Sequence, residues 1–188
     1  MSIATELTLT ERISRFARPC VWLFTASAGL FGLGVLAVAA AVLIYRGPSP
    51  VVATFWGVNA SQHVSDAVAV AFLKFSFAWR ALLALIQIAV ATPIVLIFWT
   101  MRRLFLLYAR GVIFAADNIA LIRAIAWLLI IYPFVRSVGE ILFELIAKKS
   151  ISQAGFDIDS ILFGISVLFV ARVMDLGREL QNEQAQFL

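Results

Sequence analysis

The sequence has little charge and almost no thiol or imidazole. Only 14% of its 188 residues are Asp, Glu, Lys or Arg, against about 25% in soluble domains. Cys20 is the only cysteine and His63 the only histidine. That excludes an intrachain disulfide and a thiol metal cluster, and it leaves His63 without the second histidine or cysteine that a zinc site needs. No Ser-His-Asp order surrounds His63, since Asp66 alone is no triad, and there is no G-x-x-x-x-G-K-[ST] loop to cradle a phosphate. The expectation is a non-enzymatic protein with no cofactor, in which His63 is an interfacial residue.

Hydrophobic residues make up 63% of the chain, well above the roughly 45–50% of soluble domains. Cys20 to Tyr45 is a run of 26 residues without a charge. A bilayer core of about 30 Å needs roughly 20 helical residues. The run is also too long for a signal-peptide core of roughly 7–15 residues, so a retained span is expected. The net charge of +4 and sequence pI of about 9.7 would suggest nucleic acid in a soluble protein. Here Lys and Arg are better read as loop residues that set orientation, and no direct nucleic-acid binding is expected.

The expected fold class is an all-α integral membrane protein, a four-helix transmembrane bundle forming one domain over residues 1–188. The spans are placed at about 19–46, 79–101, 118–147 and 158–176, with an outer loop at 47–78, a cytoplasmic elbow at 102–117 and a cytoplasmic tail at 177–188. Before the first span, Arg12, Arg15 and Arg18 recur every three residues, near one helical face. That predicts a short surface helix facing lipid headgroups or solvent. In the first span Thr25, Ala28, Gly29 and Gly32 offer small residues four apart, which allow close helix approach. Gly47 to Pro50 (GPSP) is a helix stop. Beyond it, Val64, Ala67, Val68, Ala71, Phe72 and Phe75 keep helical spacing. Asn59-Ala60-Ser61 matches a glycosylation acceptor, a short and unspecific pattern.

Ala81 to Met101 is 21 residues without a charge and forms the second span, with Pro93 as a kink site and Gln87 expected to pack on another helix. The third and fourth spans have shorter clean portions. Ala124 to Val135 is 12 residues, about 18 Å of helix, so the helix must continue through Arg136, Glu140 and Glu144 to near Lys148, one face at four-residue spacing, with Pro133 inside. Ser160 to Ala171 is another 12, extended by a snorkelling Arg172 and capped by Asp157 or Asp159.

With the N-terminus inside, nine Lys and Arg fall on the cytoplasmic side, five outside, and Arg136 within the membrane. The asymmetry favours both termini in the cytoplasm. The elbow, ARGVIFAADNIALIRAIAW, then reads as a helix stop at Gly111 and a helix start at Asp117 and Asn118, whose side chains can bond free backbone donors.

The residues Arg110-Gly111, Phe114, Asp117-Asn118, Leu121, Arg123 and Trp127 resemble the elbow of a bacterial membrane family known as domain of unknown function 2975 (DUF2975). The tail residues Arg172, Gly177, Glu179, Leu180 and Glu183 are similar to that family's polar tail. Ala115 and Ala116 depart from the family's usual Thr before the acidic-Asn pair, and Gln181, Gln184 and Gln186 make this tail more neutral. The resemblance implies four spans in the bacterial inner membrane. It also implies a cytoplasmic partner, a small Cro-type helix-turn-helix regulator, because such genes often neighbour those of the family.

Three functional readings stand. The first is a membrane module that binds and sequesters a cytoplasmic helix-turn-helix transcription regulator, a signal-transduction role in transcription regulation. Its partner-binding residues would be Arg110, Asp117, Asn118, Arg123, Arg172, Arg178, Glu179 and Glu183. Against it stands a solvated tail with lipid-binding arginines. The second is a small transporter or channel subunit, as a homo-oligomer or alone, built around the intramembrane polar cluster Arg136, Glu140 and Glu144. Against that stands an Arg136–Glu140 pair that neutralises itself, since ionisable groups in spans usually face a bundle interior or a cavity. The third is a structural membrane subunit with the bilayer as its main partner.

Overall fold

The computed structural model describes residues 3–44, 76–112, 115–147 and 157–186. Four α-helices fill these segments: α1 (Ile3–Ile44), α2 (Phe77–Ala109), α3 (Ala116–Ala147) and α4 (Ile158–Gln186). There is no strand among the described residues. Each helix holds a stretch long and apolar enough to cross a membrane: Ile13–Ile44, Phe77–Ala109, Ala116–Leu142 and Ile158–Leu180, with mean hydropathy of 2.3, 2.5, 1.9 and 1.8.

The apolar side chains are distributed the wrong way round for water. Leu30, Leu36, Leu85, Phe163 and Phe169 are all more than half exposed, Phe169 at 70%. A soluble monomer does not leave so much contiguous apolar surface uncovered, whereas hydrocarbon solvates it. The buried faces are narrower and partly polar. On α2 the buried positions Arg80, Leu83, Ala84, Gln87 and Ala91 follow the three-and-four spacing of one helical face. On α1, Val35, Val38, Ala39 and Val42 do the same.

All four helices extend past the limits expected for them, α3 by only two residues and α2 by eight, to Ala109 within the expected elbow. α1 begins at Ile3 and runs through Pro19 without a break, so the arginine segment and the first span are one helix. A helix-interior proline costs about 3 kcal/mol through one lost bond and a clash one turn back, a local penalty within 42 residues. α4 continues through the polar tail to Gln186. Pro93 lies inside α2 and Pro133 inside α3.

The chain divides into two compact units. One comprises Met1–Leu30, Ile94–Ile131 and Ile158–Leu188; the other comprises Phe31–Pro93 and Tyr132–Asp157. All four helices contribute to the first. Its core is Leu104 from α2, Ile122 and Ile125 from α3 and Ala171 from α4, with Met101, Leu129 and Val167 packed around them. Phe24 of α1 stacks on Phe105 of α2 at 5.3 Å between ring centroids. In the second unit, the Arg80 guanidinium donates to the Leu43 carbonyl at 3.1 Å. That carbonyl is among the last of α1, which have no partner within their own helix, and a cation there complements the helix dipole.

Candidate functional site

The turn between α2 and α3 is fixed by main-chain chemistry. Gly111 has φ of 78°, a left-handed conformation that glycine adopts without the Cβ clash of other residues. The Gly111 N–H donates to the Tyr108 carbonyl at 3.0 Å and the Val112 N–H to the Leu107 carbonyl at 3.1 Å. This pair of bonds is the Schellman helix stop. α3 then starts with the Ala115 carbonyl accepting from Asn118 and Ile119, and Asp117 stands in its first turn.

Asn118 works in the opposite sense from the one expected of it. It is fully buried, and its side-chain amide donates to the Val112 carbonyl at 2.7 Å instead of only accepting from the helix's free N–H groups. Asn118 therefore staples the end of the turn to the first turn of α3. With Ala115 in the capping position, no side-chain oxygen is available there, and the staple supplies the link.

Two charge clusters form, one in each unit. In the first unit, Asp175 of α4 gathers three arginines: Arg123 at 3.4 Å, Arg178 at 3.6 Å and Arg172 at 3.8 Å. Asp175 is largely buried, Arg123 comes from α3, and the other two are one turn away on α4. Of the residues expected at a docking face, Arg123, Arg172 and Arg178 are thus brought together, while Arg110, Asp117 and Glu179 remain exposed. Asp175 itself was not among the expected site residues. Its spacing of three to Arg172 and to Arg178 was the available signal; the contact with Arg123, 52 positions away, left none.

In the second unit, Arg136 Nε donates to Glu140 Oε1 at 2.9 Å, and Arg136 Nη1 lies 3.7 Å from Asp157 Oδ2. Asp157 precedes α4 directly and Asp159 falls in its first turn. The expected i, i+4 pair is present, and Asp157 makes it a triad. Glu140 Oε2 is buried without a hydrogen-bond partner among the described residues.

A third feature lies beside the turn. A cleft of about 620 Å³ is lined by Arg102, Arg103, Arg110, Asp117, Trp99 and Leu121 among others, all in the first unit. Arg102 is held in place: its Nε donates to the Thr25 hydroxyl at 3.0 Å, and its guanidinium lies 4.9 Å from the centroid of the Trp99 ring.

Several expected features lie outside the described residues: the stop at Gly47–Pro50, Asn59, His63, Asp66, the helical spacing from Val64, and Lys148. So do the side chains of Arg12, Glu144 and Glu183. Among the described residues, no three His, Cys, Asp or Glu side chains form a group that could hold a metal ion.

Four long apolar helices with outward-facing hydrophobic side chains define a multi-pass helical membrane protein. The family described as Protein of unknown function (DUF2975) matches residues 51–186, and the chain belongs to that family. No curated protein and no solved structure matches the chain.

Proposed function

We propose that this protein is a non-enzymatic membrane module of the bacterial inner membrane, with both termini in the cytoplasm, that docks a cytoplasmic helix-turn-helix regulator and holds it at the membrane. The observation that carries this reading is the convergence of Arg123, Arg172 and Arg178 on Asp175. It ties Arg123, in the second turn of α3, to Arg172, Asp175 and Arg178 of α4, and this link supports a docking surface of mixed charge shared by elbow and tail. A partner gripping that surface is sensitive to relative motion of α3 and α4, the differential contact that coupling between two states requires.

The test is co-purification from native membranes, with the captured protein identified by mass spectrometry. The reading expects a helix-turn-helix protein, captured by the wild type and lost with the charge reversals Arg172→Glu and Glu179→Lys at unchanged membrane level. Capture of such a protein that both reversals leave intact contradicts the docking surface, and so does its absence from the wild-type eluate.

A second reading rests on the Arg136–Glu140–Asp157 triad and the buried Glu140 oxygen. Ionisable groups within spans are costly and often mark ion or substrate pathways. Flux into liposomes that Glu140→Gln abolishes favours a transporter.

A further inference from the structure

The arginines around Asp175 have a carboxylate to share, but those of the cleft beside the turn do not. Among the described residues, none of Arg102, Arg103 and Arg110 lies within ion-pair distance of an acid. Asp117 lines the same cleft without pairing to them. Three arginines around one acid leave the cleft net positive, and Arg102 is oriented in advance by Thr25 and Trp99. Guanidinium groups in such an arrangement match the oxygens of a phosphate.

The cleft's depth along α2 narrows the class of anion. The uncharged run from Ala81 to Met101 is 21 residues, about 31 Å of helix, which equals the hydrocarbon thickness of a bilayer. Arg102 and Arg103 follow at once, at the level where hydrocarbon gives way to headgroups. The lining also includes Trp99, inside that run, together with Leu106, Leu107 and Leu121, apolar surface that inorganic phosphate has no use for and an acylated glycerol does. A volume of about 620 Å³ falls in the range of small-molecule sites, roughly 300–1,000 Å³, and exceeds what a bare phosphate fills.

We infer that the cleft lined by Arg102, Arg103 and Arg110 is a binding site for the phosphate of an anionic phospholipid headgroup. It does not depend on the docking of a regulator, and it holds for either orientation of the chain in the membrane.

The test uses the full chain in a zwitterionic detergent, with binding of short-chain phosphatidylglycerol, short-chain phosphatidylcholine and inorganic phosphate measured separately. The expected result is phosphatidylglycerol binding at least tenfold tighter than either of the others. Arg103→Gln with Arg110→Gln, both exposed and so spared a role in folding, weakens it at least tenfold. Lys148→Gln with Lys149→Gln, which removes the same charge just after the last residue of α3, at the opposite end of that helix from Asp117, leaves it unchanged. Circular dichroism confirms that each variant keeps its helices. Should the Arg103/Arg110 variant lose its fold, Arg103→Glu alone takes its place with the same expected loss. Equal binding of the two lipids, or equal weakening by both double variants, overturns the site. Inorganic phosphate binding as tightly as phosphatidylglycerol overturns the lipid assignment.

Discussion

Gly164 sets how closely α4 can lie on α3. A Cβ there would sit 2.7 Å from Ile130 Cγ1, 2.9 Å from the Ala126 carbonyl oxygen and 3.3 Å from the Ile130 nitrogen. The isoleucine side chain can rotate away, but the main chain cannot. Gly164→Ala should therefore destabilise by about 1–3 kcal/mol, the usual cost of overpacking, although alanine is the better helix former by about 1 kcal/mol. Gly177, on the same helix, meets nothing within 4 Å, and Gly177→Ala should stabilise instead. Thermal unfolding in detergent should move the two Tm values in opposite directions; a rise in both would remove the close contact. Small-residue spacing in the sequence pointed to Gly29 and Gly32, yet both face open space. Spacing shows that a close approach is permitted, and only the fold decides which glycine uses it.

At the scale of the element, the turn between α2 and α3 was the most legible part of the candidate site. Gly111 as a helix stop depends on the few residues around it, and the Tyr108 and Leu107 carbonyl bonds realise it. The length of α1 was less legible, because Pro19 is as acceptable at a helix start as it is costly inside one. The Arg136–Glu140 pair was readable from its i, i+4 spacing, but Asp157 lies 21 positions from Arg136 and became visible only with the fold. That third member changes the expected energetics. Glu140→Gln leaves Arg136 with Asp157, whereas Arg136→Gln strips two carboxylates of their cation. Breaking a fully buried pair can cost about 3–5 kcal/mol, and with Arg136 and Asp157 each about a third exposed the loss here should fall below that range. Both single changes should lower the unfolding temperature in detergent, Arg136→Gln by more, and Arg136→Gln with Glu140→Gln should recover part of the loss. A larger loss for Glu140→Gln would mean that Asp157 does not act as a partner.

For the whole molecule, uncharged runs revealed two helices able to cross a membrane, and the other two followed once charged residues were admitted to the spans, because hydrocarbon imposes a minimum length on every span. What they could not reveal are the contacts between distant segments. Arg80 counts among the outer-side charges at the start of the second span, yet it is buried on α2 and caps α1 through Leu43, 37 positions earlier. Asp175 falls near the end of the expected fourth span with no role read for it, yet it is the hub of an ion cluster with Arg123, Arg172 and Arg178. Such groups have no local signature, since their partners are chosen by packing.

The proposed docking requires elbow and tail to share the cytoplasmic side, where a soluble regulator can reach both. Single cysteines introduced into a Cys20→Ala background test this with a membrane-impermeant thiol reagent on intact cells. Ser49→Cys and Ser152→Cys should react at once, while Ala115→Cys and Gln184→Cys should react only after the cells are permeabilised. Labelling of Ala115→Cys or Gln184→Cys in intact cells, with Ser152→Cys protected, would put elbow and tail outside and contradict the account.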